Sequence, residues 1–117
     1  MKERGDYGES CAVRFLKKQG YKIIEKNFST RFGEIDIIAK KNEYIVFVEV
    51  KLRKNNDFGG GVCAVDTHKQ KRIKKTAAIY LSKFTEEFPV RFDVVVITCS
   101  DEKIRKEDIE VIENAFW

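Results

Sequence analysis

The chain has 117 residues, a formal net charge of +4 and a charged fraction of 36%. That length fits one domain, residues 1–117, with a core large enough to fold without disulfide or metal staples. Three scattered cysteines (Cys11, Cys63, Cys99), a single histidine and no long apolar run argue against a disulfide framework, a zinc site and a membrane span. Each cysteine reads as a small buried hydrophobe. Met1–Asp6 lacks the apolar core of a signal peptide, so the expected location is the cytoplasm, with no membrane partner.

In chain order, Ala12, Phe15, Leu16 and Gln19 follow helical spacing behind Cys11 and predict a helix over 4–19, stopped by Gly20. Tyr21–Asn27 reads as a strand, partly exposed through Lys22, Glu25 and Lys26, and Ser29–Phe32 as a loop. Two further strand-like runs follow, Gly33–Ala39 and Tyr44–Lys51, separated only by Lys40–Glu43. Residues 52–65 form a polar, glycine-rich connection of a length usually reserved for function or motion. A second helix is predicted over Thr67–Lys83, with Ile73, Ala77, Tyr80, Leu81 and Phe84 as its buried stripe, and Glu86–Pro89 breaks it. Arg91–Thr98 is nearly continuously apolar, as in a strand covered on both faces. The tail, Asp108–Trp117, carries Ile109, Val111, Ala115, Phe116 and Trp117, and its apolar end is expected to dock. The order α-β-β-β-α-β implies an α/β sandwich, a central mixed sheet flanked by helices.

The two neighbouring strands hold the most informative residues. Alternation sets Glu49 and Lys51 on one face and Val46, Val48 and Val50 on the other. With Asn42-Glu43 as a two-residue turn, Lys41 faces Tyr44 and Asp36 falls opposite Glu49. Like charges so placed repel, with Cβ atoms about 5 Å apart. A bound cation would relieve them. Two carboxylates, several waters and a substrate phosphate are what Mg2+ prefers, and the Val50 carbonyl could add a ligand. Lys51 could orient or deprotonate a water, or stabilise charge on a phosphoryl transition state. The plain alternative is a solvated hairpin face with a routine Glu–Lys contact. Apolar Ile45 and Phe47 on that face weigh against it, because charges on a covered face need partners.

From Thr67 to Lys75, five of nine residues are basic: Lys69, Lys71, Arg72, Lys74 and Lys75. The last nineteen residues carry six acids against three bases. A basic face with an acidic far end suits a polyanion, although a solvated lysine-rich helix would look the same. Lys69 is the residue expected to touch phosphate, since a helix start adds N–H donors and a favourable dipole. His68 reads as surface or phosphate contact, and Gln70 could reach toward the reacting region. Asp93 reads as structural. Glu9 borders the buried face of the first helix, where an acid could simply pair with a lysine. Glu34 shares a strand face with Asp36, as an outer-layer acid or a rim charge.

The string Arg31-Phe32-Gly33-Glu34-Ile35-Asp36-Ile37-Ile38-Ala39, followed by Val46-Phe47-Val48-Glu49-Val50-Lys51-Leu52-Arg53, resembles the YraN-like family of uncharacterised bacterial proteins. Gly8-Glu9, Lys69 with Ala77–Leu81, Arg91-Phe92-Asp93 and Asn114-Ala115-Phe116 carry the likeness along the whole chain. That family is similar to archaeal Holliday-junction resolvases and belongs with the restriction-endonuclease-like PD-(D/E)XK fold. The resemblance implies that Asp36, Glu49 and Lys51 are the catalytic motif. It implies Glu9 as an additional metal-binding acid beside Asp36 and Glu49, and Mg2+ or Mn2+ as cofactor. Ile35 stands where the motif's name has proline, a departure shared by many relatives.

The leading expectation is therefore a Mg2+-dependent endonuclease that hydrolyses phosphodiester bonds in DNA, with branched or damaged structures as candidates. Lys69, Lys71, Arg72, Lys74, Lys75 and Arg53 would contact nucleic acid, fixing position without reading sequence. The rival is a nucleic-acid-binding module of the same fold without chemistry. A third reading is a protein-interaction domain whose acidic tail and Phe116-Trp117 contact a partner or a second copy, giving a homodimer.

Overall fold

Helix α1 (Lys2–Lys18) is followed by three antiparallel strands, β1 (Lys22–Thr30), β2 (Gly33–Lys41) and β3 (Tyr44–Lys54). Helix α2 (Thr67–Leu81) leads to β4 (Val90–Cys99), which pairs with β3 in parallel, and β5 (Ile109–Phe116) pairs antiparallel with β4. The computed structural model describes residues 2–54, 65–99 and 104–116. Most of the glycine-rich connection, with Cys63, therefore lies outside the described residues, as does Trp117. The five strands lie in chain order across one mixed sheet. With a helix on each face it is a restriction-endonuclease-like α/β sandwich, in the expected order α-β-β-β-α-β plus one further strand. Among the described residues no helix is long and apolar enough to cross a membrane.

Strand alternation sends the apolar residues into two cores. Ile37, Ala39, Val46, Val48, Val95 and Ile97 pack on Ala12 and Leu16 of α1. Ile38, Ile45, Phe47, Phe92, Val94 and Val96 pack on Ile73, Ala77 and Tyr80 of α2. Because both faces of β4 are covered, its sequence reads as a nearly continuous apolar run, Val94–Ile97 above all. Leu16 and Phe47 are fully buried, and each such side chain contributes about 1.5–3 kcal/mol of transfer free energy. Cys11 is buried, as expected of a small hydrophobe.

Local chemistry sets the element ends. Gly20 adopts φ 95°, and the N–H of Tyr21 donates to the Leu16 carbonyl at 3.0 Å, closing α1. Asn42, at φ 55°, starts the β2–β3 turn, a conformation asparagine tolerates. The expected loop over Ser29–Phe32 shrinks to Arg31-Phe32, because Ser29 and Thr30 pair with Glu34 and Gly33. Strand β3 runs past Lys51 to Lys54 because parallel pairing with β4 continues to Cys99. Helix α2 stops at Leu81, and Ser82 caps it through its N–H.

Strand β5 has no counterpart in the sequence-based reading, since two irregularities disguise it. Asn114 has φ 54°, and the β4–β5 register shifts between Phe92 and Val94. At that shift the Asp93 side chain takes over from the ladder. Its Oδ1 accepts from the Asn114 N–H at 2.9 Å and from Arg91 Nε at 2.9 Å. Its Oδ2 accepts from the Tyr21 hydroxyl at 2.8 Å and from Arg91 Nη2 at 2.9 Å. Asp93 is 0% exposed, so these four donors replace the water it has lost. Burial, then the hydrogen bond to Asp93, raises the Tyr21 hydroxyl well above its usual range. The tail docks beside this network, with Phe116 stacked on Phe92 at a centroid distance of 5.1 Å.

Removing Asp93 would strand Arg91 and free the Asn114 bulge. Asp93→Ala is expected to cost about 3–5 kcal/mol, and Tyr21→Phe about 1 kcal/mol. Urea titration followed by circular dichroism checks both, and an alanine variant within about 1 kcal/mol of the parent would refute this structural role.

Candidate functional site

The β2–β3 register, Lys41 with Tyr44 through Ile37 with Val48, brings Asp36 to the level of Glu49 when carried one residue further. At that point the backbone is linked to a side chain: the Val50 N–H donates to Asp36 Oδ2 at 2.8 Å. Glu49 lies on the strand face of Ile45 and Phe47, beneath α2, and is 5% exposed. Lys69, in the first turn of α2, forms an ion pair with Glu49 Oε2. Asp66 caps that turn, its Oδ1 accepting the Lys69 N–H at 2.8 Å. This hydrogen bond holds the Asp66 carboxyl below its ordinary range. The N–H expected to greet a phosphate is thus already used, and the Lys69 ammonium is the group that faces the site.

Asp36, Glu49 and Lys69 line one cavity of about 290 Å3, with Thr30, Arg31, Phe32, Gly33, Glu34, Arg72 and Ile73 completing its wall. Burial first, and the Glu49 charge second, push the Asp36 carboxyl up to about 7, against the pull of the Val50 N–H. The charge of Glu9 adds to the upward push. Glu9 is half-buried on α1, where Gly8 lets the helix rest close to Leu52 of β3: a Cβ there would come within 2.8 Å of a Leu52 methyl. The sequence-predicted acids Glu9, Asp36 and Glu49 are therefore brought into electrostatic contact. Lys51 follows on the same side of β3 and is half-buried.

The predicted basic residues divide. Lys69 and Arg72 line the acid cavity. Lys71 and Lys75, with Arg72 and His68, line a neighbouring basic cavity of about 210 Å3. Lys74 lines neither of these two, and Arg53 is tied to β4, its Nε donating to Thr98 Oγ1 at 2.9 Å. Gln70 does not reach the acids, because its Nε2 donates to the Val65 carbonyl at 2.6 Å. Glu34 lies on the cavity rim, accepting from the Ser29 hydroxyl at 3.2 Å. Sequence reasoning missed Arg31 and Phe32 as site residues. The available signal was their place, two to three residues before Glu34 on a tight turn that must fold over the same end of the sheet.

Do these residues suit a divalent cation? Asp36 and Glu49 offer two adjacent carboxylates, the number Mg2+ usually takes from protein. The Asp36 carboxyl is raised by burial first and by the Glu49 charge second, with Lys69 pulling the other way. Among the described residues no group of three or more Asp, Glu, His or Cys side chains is placed to hold a metal ion, so Glu9, Asp36 and Glu49 do not form such a group here.

The Asp36 carboxyl makes stability depend on pH in a definite direction. In the metal-free protein it holds its proton up to about 7, whereas the unfolded chain releases it near 3.8. Its contribution is present below 3.8 and is lost as pH rises through about 7. Asp36→Asn keeps an acceptor for the Val50 N–H and never ionises. In EDTA it should gain about 3–4 kcal/mol over the parent between about pH 4 and pH 8. Urea titrations across that range check this, and a constant difference would refute the shift.

The sequence profile described as "Uncharacterised protein family UPF0102" matches residues 8–97, which contain Glu9, Asp36, Glu49, Lys51 and the whole of α2. A UPF0102 protein of Thermodesulfovibrio yellowstonii is 50% identical over 115 residues, covering 98% of this chain and 96% of that protein. Another, from Caldanaerobacter subterraneus subsp. tengcongensis, is 44% identical over 113 residues, covering 96% and 93%. A third, from Nitrosomonas europaea, is 42% identical over 113 residues, covering 97% and 92%. With both the profile and near full-length relatives in agreement, the chain belongs to the UPF0102 family.

Proposed function

We propose that this protein is a Mg2+- or Mn2+-dependent endonuclease that hydrolyses phosphodiester bonds in DNA, with branched or damaged structures as its favoured substrates. The observation that carries the reading is the Asp36–Glu49 pair, two carboxylates that line one cavity beneath α2 with the Lys69 ammonium on Glu49. Basic side chains surround that pair. A phosphodiester is the common ligand whose charge suits both layers, acids below for a cation and bases above for the phosphate.

Asp36 and Glu49 would hold the metal, with Glu9 adding negative charge from α1. When bound, a divalent ion of this kind polarises a phosphoryl oxygen and acidifies water. Lys51, two residues beyond Glu49, would orient the attacking water and offset charge building on the phosphoryl oxygens. Lys69 would exchange Glu49 for a phosphate oxygen as substrate arrives, since its ammonium can face either anion. Arg72 and Arg31, on the cavity wall, would clamp the backbone on either side. These contacts reach phosphates and not base edges, which favours recognition of DNA shape over sequence.

The test is incubation of purified protein with junction, flap and duplex DNA plus Mg2+ or Mn2+. Cleavage is expected, reduced about 100-fold or more in Asp36→Ala and in Lys51→Ala. Calorimetric titration with Mn2+ should give heat with the parent and none with Asp36→Ala. Metal binding without cleavage of any of these substrates would favour a non-catalytic DNA-binding module. Absence of both would overturn the proposal.

A further inference from the structure

We infer that Phe32, at the tip of the β1–β2 turn, is a stacking platform for an unpaired nucleobase beside the phosphate site. The protein thereby prefers DNA with unstacked bases over continuous duplex. The inference rests on the DNA reading above and specifies which form of DNA the site selects.

Phe32 stands apart from the aromatic residues of the α2-side core. Phe28, Phe47, Tyr80, Phe84, Phe88, Phe92 and Phe116 belong to, or pack against, the α2-side core, and they touch one another ring to ring. Among the described residues, Phe32 belongs to neither core cluster and to none of these ring pairs. Its ring is only half-buried and forms part of the wall of the cavity that holds Asp36 and Glu49. Two cations lie over it instead: the Arg31 guanidinium at 4.9 Å and the Lys75 ammonium at 5.2 Å from the centroid. Both side chains are exposed.

The turn that carries Phe32 is fixed in place. The Phe32 N–H donates to Thr30 Oγ1 at 3.1 Å, and that hydroxyl lies 3.2 Å from Thr76 Oγ1 on α2. Thr76 in turn donates to the Arg72 carbonyl at 2.9 Å. Gly33 lies so close to α2 that a Cβ there would stand 3.4 Å from Arg72 Cβ. An apolar ring is thus held in the wall of the acid cavity, with two exposed cations at its surface. A phosphate entering the cavity gives Arg31 and Lys75 stronger partners than the ring, and the vacated aromatic face suits the π-face of a base. In continuous duplex the base is already stacked on its neighbours and must be withdrawn first. At a junction, flap, gap or single strand it is available.

The experiment measures fluorescence anisotropy of a labelled oligothymidylate and of a labelled duplex of equal length, in EDTA. It compares the parent with Phe32→Ala, Phe32→Leu and Phe32→Tyr. Both Ala and Leu should weaken single-strand binding about five- to hundredfold and duplex binding less than about twofold, while Tyr keeps parental affinity. Leucine fills the space without a π-face, so a packing defect in the alanine variant is separable from lost stacking. Parental single-strand affinity in the Leu variant, or equal losses on both DNAs, overturns the platform and leaves the DNA reading intact. A parent that binds neither DNA overturns both.

Discussion

Burying a carboxylate without losing the fold is the constraint on which this structure depends, and the chain meets it in two opposite ways. Asp93 is fully enclosed and answered by four donors from Arg91, Tyr21 and the Asn114 backbone. Its charge is spent on holding β5 to β4 and the end of α1 to the sheet. Asp36 and Glu49 are also drawn under cover, but they line one cavity, where the Lys69 ammonium pairs with Glu49 and the Val50 N–H donates to Asp36. One acid is a closed structural joint. The other two share a cavity with Lys69, and the proposed cation would lie between them.

The parallel β3–β4 pair explains why this cavity lies where a polyanion can reach it. Parallel strands require a crossover, and here the crossover ends in α2 lying over the face that carries Glu49. Asp66 fixes the first turn of α2, which sets Lys69 over Glu49. From there the 3.6-residue period carries Arg72 and Lys75 along the side of the helix that meets the β1–β2 turn. Helix, turn and strand pair thus converge through packing that begins with Ile73, Ala77 and Tyr80 in the core. The site is a consequence of how the core is closed.

Much of this was legible in the chain. Period-two alternation placed Glu49 and Lys51 together, and the short Asn42-Glu43 turn fixed the hairpin register that brings Asp36 to Glu49. Both helices and the apolar β4 followed from patterns that any soluble sandwich would show. What remained hidden depended on partners distant in sequence. Strand β5 was obscured because its ladder is interrupted at Asn114, and the residue that repairs the interruption, Asp93, lies twenty-one positions earlier. The Ser29–Phe32 segment looked like a loop because polar residues at a strand end resemble turn residues until their pairing with Gly33 and Glu34 is seen. Lys69 was identified as a phosphate contact through its helix-start N–H, but the neighbouring Asp66 had already claimed that donor. Phe32 was passed over despite its place just before Glu34, since an aromatic beside a strand normally belongs to the core. Its place at the acid cavity is set by contacts between Thr30, Gly33 and α2.

The net charge of +4 by itself says little about such a site, because the functional property is the order of the charges along the approach. Exposed Arg31, Arg72 and Lys75 stand outside, Lys69 stands between, and Glu49 lies beneath it, almost closed off from solvent. An approaching phosphate meets the positive layer first, while the acids are partly masked by it. Were Glu49 as exposed as Glu34, the same composition would repel the ligand that the basic rim attracts. Burial therefore does more than perturb Asp36. It separates the two charge layers in depth within one cavity, which is the arrangement that the proposed metal and phosphate would require.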